Sequence, residues 1–342
     1  MKVAIGSKII KGPWGGGNRF VIALRNFLLK NGHDVVFDLK DNDIDIILLT
    51  DPRSRIKNVS ISTRMILYYL LFVNKNCIVI HRINECDERK NTKTINMRLI
   101  LANYVADHTI FVGSWLKKLN VWKKKSDNNS TVILNGADSS IFNIKDQKNW
   151  KRGELLRLVT HHWGGNWMKG FDIYRLIDDL LTDNEWSKKI HFTYIGNLPK
   201  NFEFKKAKYI RPLNNKELAC ELKKHHVYVT GTINEPGSNH QNEGALCGLP
   251  LLYRNSGCLP EYCNGYGVMF NNCEEFKLSL EEIINNYTFW QSKITSFNLN
   301  SDKMAFAYME LFSSMISKRD YIVKNRNIWR NLPLLLLNLI PA

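Results

Sequence analysis

The sequence predicts an α/β protein made of two doubly wound parallel-sheet domains that face each other across a cleft. Three observations carry this. Short apolar runs alternate with amphipathic helix patterns from the first residue to about residue 270. The alternation breaks at a polar bridge over residues 143–153 and then begins again. A chain of 342 residues is too long for one ordinary domain and long enough for two with separate cores.

In the first half, residues 1–9 read as a buried strand. The turn Gly12-Pro13-Trp14-Gly15-Gly16-Gly17-Asn18 follows, then an apolar-periodic helix from Arg19 to about Asn31. Gly32-His33-Asp34 closes that helix and a strand starts at Val35. A strand, turn, helix and strand in this order make the sheet parallel. Further strands are expected over 44–50, 77–81, 108–112 and 131–134. In the second half the expected strands are 155–160, 191–195, 208–210, 227–230, 251–253 and 267–270, with helices over 172–181 and 215–224. Amphipathic helices close the chain from about Asp302. In such sheets ligands bind outside the carboxyl ends of the strands, so the cleft is the natural ligand position.

The most informative segment is Asn234-Glu235-Pro236-Gly237-Ser238-Asn239-His240-Gln241-Asn242-Glu243, closed by Gly248-Leu249-Pro250. A Pro-Gly turn after an apolar strand makes a tight loop, and Ser238 or Asn239 is placed to cap the helix that follows. The first amides of a helix lack intrahelical partners and its dipole adds positive charge, which suits an anion. Two glutamates beside an anion cradle suit a nucleotide-activated sugar, one for ribose hydroxyls and one for the sugar.

Composition narrows the partners. The formal charge is +16, and lysines cluster at 117–118, 123–125 and 205–208. A solvated surface, an anionic membrane surface, an acidic substrate and nucleic acid all fit such clusters. No zinc-finger or RNP signature accompanies them, so nucleic acid is not expected. The apolar runs 65–73 and 332–340 fall far short of the ~20 residues that span a bilayer. Peripheral contact of a basic face with an anionic membrane surface stays open. Seven scattered cysteines lack zinc-ligand spacing, and no signal peptide precedes them. Reduced thiols and a cytoplasmic setting, at the inner face of the membrane if peripheral, are the expectation.

The spacing of Glu235 and Glu243 ahead of Gly248-Leu249-Pro250 resembles the donor signature of retaining GT-B glycosyltransferases, in particular the family 4 group of bacterial polysaccharide and lipopolysaccharide type. Trp167-Met168-Lys169-Gly170-Phe171-Asp172 and Val132-Ile133-Leu134-Asn135-Gly136-Ala137-Asp138, then Phe142, are similar to two further stretches of that group. The resemblance implies a GT-B fold of two Rossmann-like domains: an acceptor-side domain over 1–145, a nucleotide-sugar domain over 150–315, and a helix over 316–342 crossing back to the first. It implies transfer of a sugar from a nucleotide-diphosphate donor to a hydroxyl of a glycan or lipid-linked glycan, with retention, no cofactor and no metal. Lys169 would stabilise the leaving diphosphate, Glu235 would orient the transferred sugar and His81 would bond it. Glu243 would hold the ribose hydroxyls. Amides of Gly237, Ser238 and Asn239 would face phosphate or hexose, with His240 on the same wall and Asn166 and Gly196 completing the donor site. Gly16 and Gly17 let first-domain backbone approach the donor without a Cβ in the way.

The family usually carries an arginine shortly before the lysine. This chain has none between Val159 and Lys169, where His161-His162-Trp163-Gly164-Gly165-Asn166 stands instead. His161, His162 or Asn166 replaces it, or the histidines pack beneath the loop. After His81, the polar residues Arg82, Asp87, Glu88 and Arg89 either meet the acceptor or form a salt-bridged loop. Two other readings remain: an epimerase or phosphorylase of sugar nucleotides on the same fold, or a basic protein binding nucleic acid or membrane. The first lacks its acid–base set or cofactor lysine in this sequence, and the paired glutamates would repel phosphate backbones in the second.

Overall fold

The computed structural model describes residues 1–10, 15–53, 56–122 and 129–339. The chain divides into two compact units, one holding most residues up to Leu134 together with Ser301 onward, the other residues 135–300. The return to the first unit therefore falls at Ser301, ahead of the 316 expected. The polar bridge over 143–153 lies inside the second unit. The turn residues Pro13 and Trp14 and the lysine cluster 123–125 fall outside the described residues.

The first unit runs β1 (Lys2–Ile5), α1 (Gly16–Lys30), β2 (Asp34–Val36), β3 (Ile46–Leu49), α2 (Thr63–Phe72), β4 (Ile78–Ile83), α3 (Ile95–Ala102), β5 (His108–Phe111), α4 (Ser114–Lys118) and β6 (Ser130–Val132). Its six strands are all parallel in the order β2-β1-β3-β4-β5-β6. Ile46-Ile47-Leu48-Leu49 is buried at every position, because a parallel sheet covered by helices on both faces has no wet side.

The second unit runs β7 (Leu156–His162), α5 (Phe171–Leu180), β8 (Ile190–Gly196), β9 (Lys208–Ile210), α6 (Asn215–Leu222), β10 (Val227–Thr230), α7 (His240–Leu246), β11 (Leu251–Arg254), α8 (Leu259–Cys263), β12 (Gly267–Phe270), α9 (Cys273–Asn285) and α10 (Tyr287–Ile294). Its strands are also parallel, ordered β12-β11-β10-β7-β8-β9. The order reverses between β7 and β10, and ligand crevices in open α/β sheets open at such a switch point.

The closing helices α11 (Ser301–Ser317), α12 (Arg319–Asn325) and α13 (Leu332–Leu339) belong to the first unit. Met304, Tyr308 and Phe312 of α11 pack with Phe20, Leu24 and Leu28 of α1. Gly16 and Gly17 are not in the turn before α1, as expected, but open the helix itself. Among the described residues nothing lies within 4 Å of a Cβ built on either. Asn18 fixes the helix start to the strand exit, accepting from the Ile10 amide and donating to the Ile10 carbonyl, both at 2.9 Å.

Arg326 ties the returning segment to the sheet. Its guanidinium donates to both Asp107 oxygens at 2.9 and 2.6 Å and to the carbonyls of Lys75 and Cys77 at 2.7 Å. Breaking a buried ion pair from one side leaves an uncompensated charge. Arg326→Ala is expected to destabilise the first unit by about 3–5 kcal/mol. Denaturant unfolding followed by tryptophan fluorescence measures it, and an unchanged midpoint would remove this anchor.

Candidate functional site

The loops that leave β7 and β10 meet at the switch point of the second unit. Gly170 has φ +96°, and a Cβ there would stand 2.4 Å from the carbonyl carbon of Gly231, so only a glycine lets the two loops touch. The Ile233 amide donates to the Met168 carbonyl at 2.8 Å across the same contact. The one-turn helix Trp167–Lys169 ends beside this contact, and Lys169 donates from Nζ to Oε2 of Glu235 at 2.6 Å. Both side chains are buried, Glu235 at 1% exposure and Lys169 at 6%. Glu235 is aimed by a strained turn. Asn234 before it has φ +51°, its amide donates to Ser256 Oγ at 2.8 Å, and the Glu235 carbonyl accepts from Cys258 at 2.8 Å. Asp172, the last residue of the lysine turn motif, is paired with Arg254.

Glu243 lies in the first turn of α7, 1% exposed, and accepts from Nε2 of His161 at 2.8 Å. An ionised carboxylate can only accept, which places the proton on His161 Nε2. The Tyr228 hydroxyl lies 3.1 Å from His161 Nδ1 and 3.2 Å from His240 Nδ1. The same hydroxyl accepts from the His161 amide at 3.2 Å and lies 3.3 Å from the His161 carbonyl, so it ties His161 and His240 to one point. His240 Nε2 is buried and makes no hydrogen bond among the described residues. Gly244 is required here, because a Cβ would stand 2.3 Å from the Tyr228 ring.

Burial lowers the His240 pKa to about 3; Lys169 and His161 push it the same way, and Glu235 and Glu243 oppose them. His162 packs against His240 with ring centroids 4.5 Å apart and bonds Tyr174 at 2.6 Å. Burial, then His240 and Lys169, hold His162 well below the ordinary histidine range. It is neutral and cannot serve as the second cation. His161 is taken up by Glu243. Both histidines are the last residues of β7, beneath the loop. The Asn166 side-chain carbonyl is buried without a hydrogen bond. Gly196, at φ +142°, pairs with His162, where a Cβ would stand 2.0 Å from the His162 carbonyl oxygen. The sheet itself demands this glycine.

The expected helix cap is not formed. Asn239 occupies the cap position, but its Oδ1 accepts from the Asn242 side chain at 3.4 Å and not from a helix amide, and Ser238 pairs with Gln241 instead. α7 has seven residues, all buried, so its dipole is a short one. Gly237, at φ +146°, is held through its carbonyl by Asn135 Nδ2 at 2.6 Å, and Asn242 Nδ2 donates to the Asn135 carbonyl at 2.9 Å. Sequence reasoning quoted Asn135 only as part of a motif and missed the roles of Asn242, Tyr174 and Tyr228. Tyr228 lay in a run read simply as strand.

The residues expected from the first unit divide. His81 sits inside β4 at 0% exposure, with Nδ1 3.3 Å from Asn103 Nδ2, its Nε2 without a hydrogen bond, and its pKa lowered by burial to about 3. Arg82 is turned inward, bonding Tyr308 at 3.1 Å with its guanidinium 3.9 Å over Phe20. Asp87 caps α3 by accepting from the amides of Ile95 and Asn96 at 2.9 and 3.0 Å. Glu88 accepts from the Asn96 side chain at 3.1 Å, and Arg89 donates to Glu85 at 3.1 Å. The stretch forms a hydrogen-bonded and salt-bridged loop. Among the described residues no group of three or more His, Cys, Asp or Glu converges to hold a metal ion.

The architecture is the GT-B fold. No protein-family model matches the sequence. No curated protein matches it either. Among solved structures the chain is similar to sucrose-phosphate synthase from Thermosynechococcus elongatus, with a TM-score of 0.65 at 11% identity over 92% of this chain and 99% of that one. It is similar to the catalytic domain of starch synthase IV from Arabidopsis thaliana bound to ADP and acarbose, with a TM-score of 0.65 at 13% identity over 92% and 99%. It is also similar to Anabaena HepE in complex with UDP-glucose, with a TM-score of 0.61 at 14% identity over 92% and 100%. At these identities the likeness carries the fold.

The neutral histidines set a pH dependence. His162 and His240 have pKa values depressed below the unfolded value of ~6.5. Between that value and the folded one the unfolded chain binds more protons, so stability rises with pH there. Their contribution is complete above pH ~6.5 and is lost as pH falls toward the folded value, about 3 for His240. At pH ~5.5 each is expected to cost about 1 kcal/mol relative to pH ~7.5, and replacing His162 by Gln should flatten the curve. Urea midpoints across that range check it; a pH-independent midpoint would contradict it.

Proposed function

We propose that the protein is a retaining, family 4-like glycosyltransferase. It moves a sugar from a nucleotide-diphosphate donor to a hydroxyl of a glycan or lipid-linked glycan acceptor, without a metal. The observation that carries the reading is the pair of buried contacts at the switch point of the second unit, Lys169 with Glu235 and His161 with Glu243, with the His240 ring beside His161. A cation and two carboxylates around one crevice match the chemistry of a sugar nucleotide. Lys169 meets the diphosphate, Glu235 orients the hexose, and Glu243, its charge steadied by His161, takes the ribose diol. His240 Nε2 bonds a sugar hydroxyl, and loop amides of Gly237, Ser238 and Asn239 face the phosphates. The solved neighbours that carry UDP-glucose or ADP support the same ligand class.

In this reading the departing diphosphate is stabilised by the Lys169 ammonium and the loop amides. The acceptor hydroxyl attacks from the face that the diphosphate leaves, and a phosphate oxygen takes its proton. Electrostatic stabilisation of the leaving charge is then the main contribution of the protein.

Donor identity is read first, by a thermal-shift screen with UDP, GDP, ADP and TDP and then the matching sugar nucleotides. Stabilisation of about 2.7 kcal/mol is expected at a hundredfold excess over Kd. Lys169→Met should lower turnover about 10²–10³-fold. Because it strands a buried carboxylate, Glu235→Gln is added in the same chain to recover the fold. Recovered stability without recovered turnover supports the assignment, and recovered turnover sinks it. Glu243→Gln keeps an acceptor for His161 but removes the charge. It should raise the nucleotide Kd about 10–100-fold by calorimetry, the loss of charge-assisted hydrogen bonds worth about 1.5–3 kcal/mol. Unchanged affinity would refute the ribose role.

A further inference from the structure

On the first unit, α2, α3 and α13 pack together around Ile66, Leu70, Ala102 and Leu335, and their outer sides are not covered by the chain. Met65, Tyr68 and Phe72 repeat at the spacing of one helix face on α2, exposed at 41%, 62% and 72%. Leu332, Leu336 and Leu339 do the same on α13, exposed at 57%, 61% and 39%, with Trp329 just before them. Single exposed apolar residues are ordinary, but aligned rows on helices that touch make a patch.

The segments that build this face, residues 63–75, 93–106 and 324–339, contain no aspartate or glutamate. Arg64, Lys75, Lys93 and Lys324 in them are exposed. We infer that this face docks on the surface of an anionic lipid bilayer. Leucine and phenylalanine enter the boundary between headgroups and acyl chains, Trp329 and Tyr68 take the interfacial level where one end of the ring is wet, and the basic side chains meet the lipid phosphates. No helix among the described residues is long and apolar enough to cross a membrane, so the contact lies in the plane of the surface. A second copy of the chain would oppose like charge to like charge. Nucleic acid has no use for rows of leucine. The inference stands on the surface alone and does not depend on sugar transfer.

Sedimentation of the full chain with phosphatidylcholine/phosphatidylglycerol vesicles tests it, against pure phosphatidylcholine. Expected are binding to the anionic vesicles, weaker binding as salt screens the charges, and little binding to the neutral ones. Phe72→Ser with Leu336→Ser should weaken binding about tenfold or more while leaving the melting temperature unchanged. Arg64→Glu with Lys75→Glu should weaken it without touching the apolar rows. Equal binding to both vesicle types, no binding at all, or variants that bind as the parent does would each overturn the inference. So would a concentration-dependent dimer in ultracentrifugation that Phe72→Ser dissolves, since that assigns the face to a second copy.

Discussion

A buried ammonium and a buried carboxylate can coexist only where the chain forces them together, and the Lys169–Glu235 contact sets the terms for the rest of the site. Taking both charges out of water costs several kcal/mol each, repaid only by good geometry. The geometry comes from backbone. Gly170 and Gly231 let the two loops touch, Asn234 turns through a left-handed conformation, and Gly257, itself left-handed, lies against the backbone of Glu235. For the glycines the left-handed backbone is free of steric penalty, while for Asn234 it is a local cost of order 1–3 kcal/mol that a packed surrounding can sustain. Strain of this kind collects where a protein must hold polar groups ready, and here it collects around one carboxylate.

The aromatic and imidazole layer beneath that pair has a second task. Tyr174 and Tyr228 are fully buried, and their hydroxyls reach His162 in one case and His161 and His240 in the other. A buried hydroxyl without a partner is expensive, and each of these has imidazole and backbone groups within reach. The Tyr228 hydroxyl holds His161 and His240 at one point, from which His161 Nε2 reaches Glu243. Gly244 presses α7 onto the Tyr228 ring, so Glu243 and the imidazoles share one rigid support.

Most of the architecture was legible in the sequence because a parallel strand buried on both faces writes itself as an unbroken apolar run. Ile46-Ile47-Leu48-Leu49 and Val227-Tyr228-Val229-Thr230 are such runs, whereas the strands β2, β6 and β9 are three residues long, carry polar residues and are only partly buried. The motif residues Lys169, Glu235 and Glu243 were legible as well, since glycine and proline punctuate their loops. What the sequence hides is direction. His161 and His162 look like loop residues because imidazole is polar, yet the strand runs on through them. Arg82 looks like a ligand cation because it follows a strand in a polar run, but Tyr308 and Phe20 claim it from more than sixty positions away on either side. Asp87 looks acceptor-facing and instead caps α3, a local rule that its distance of eight residues from Ile95 concealed.

The missing arginine follows from the same burial. Position 162 pairs with Gly196 inside the sheet, and a guanidinium there would need a carboxylate that the surrounding Thr160, Tyr174 and His240 do not supply. A neutral imidazole can sit there at the cost of giving up its proton. Taking Lys169 as positive, Glu235 and Glu243 as negative and the two buried histidines as neutral, these five side chains carry a net charge of −1. Under the proposed function that charge opposes a diphosphate, so loop amides must outweigh it and recognition leans on hydroxyl groups, which carboxylates accept well. Lys169 would then supply the local positive field where the leaving charge is held.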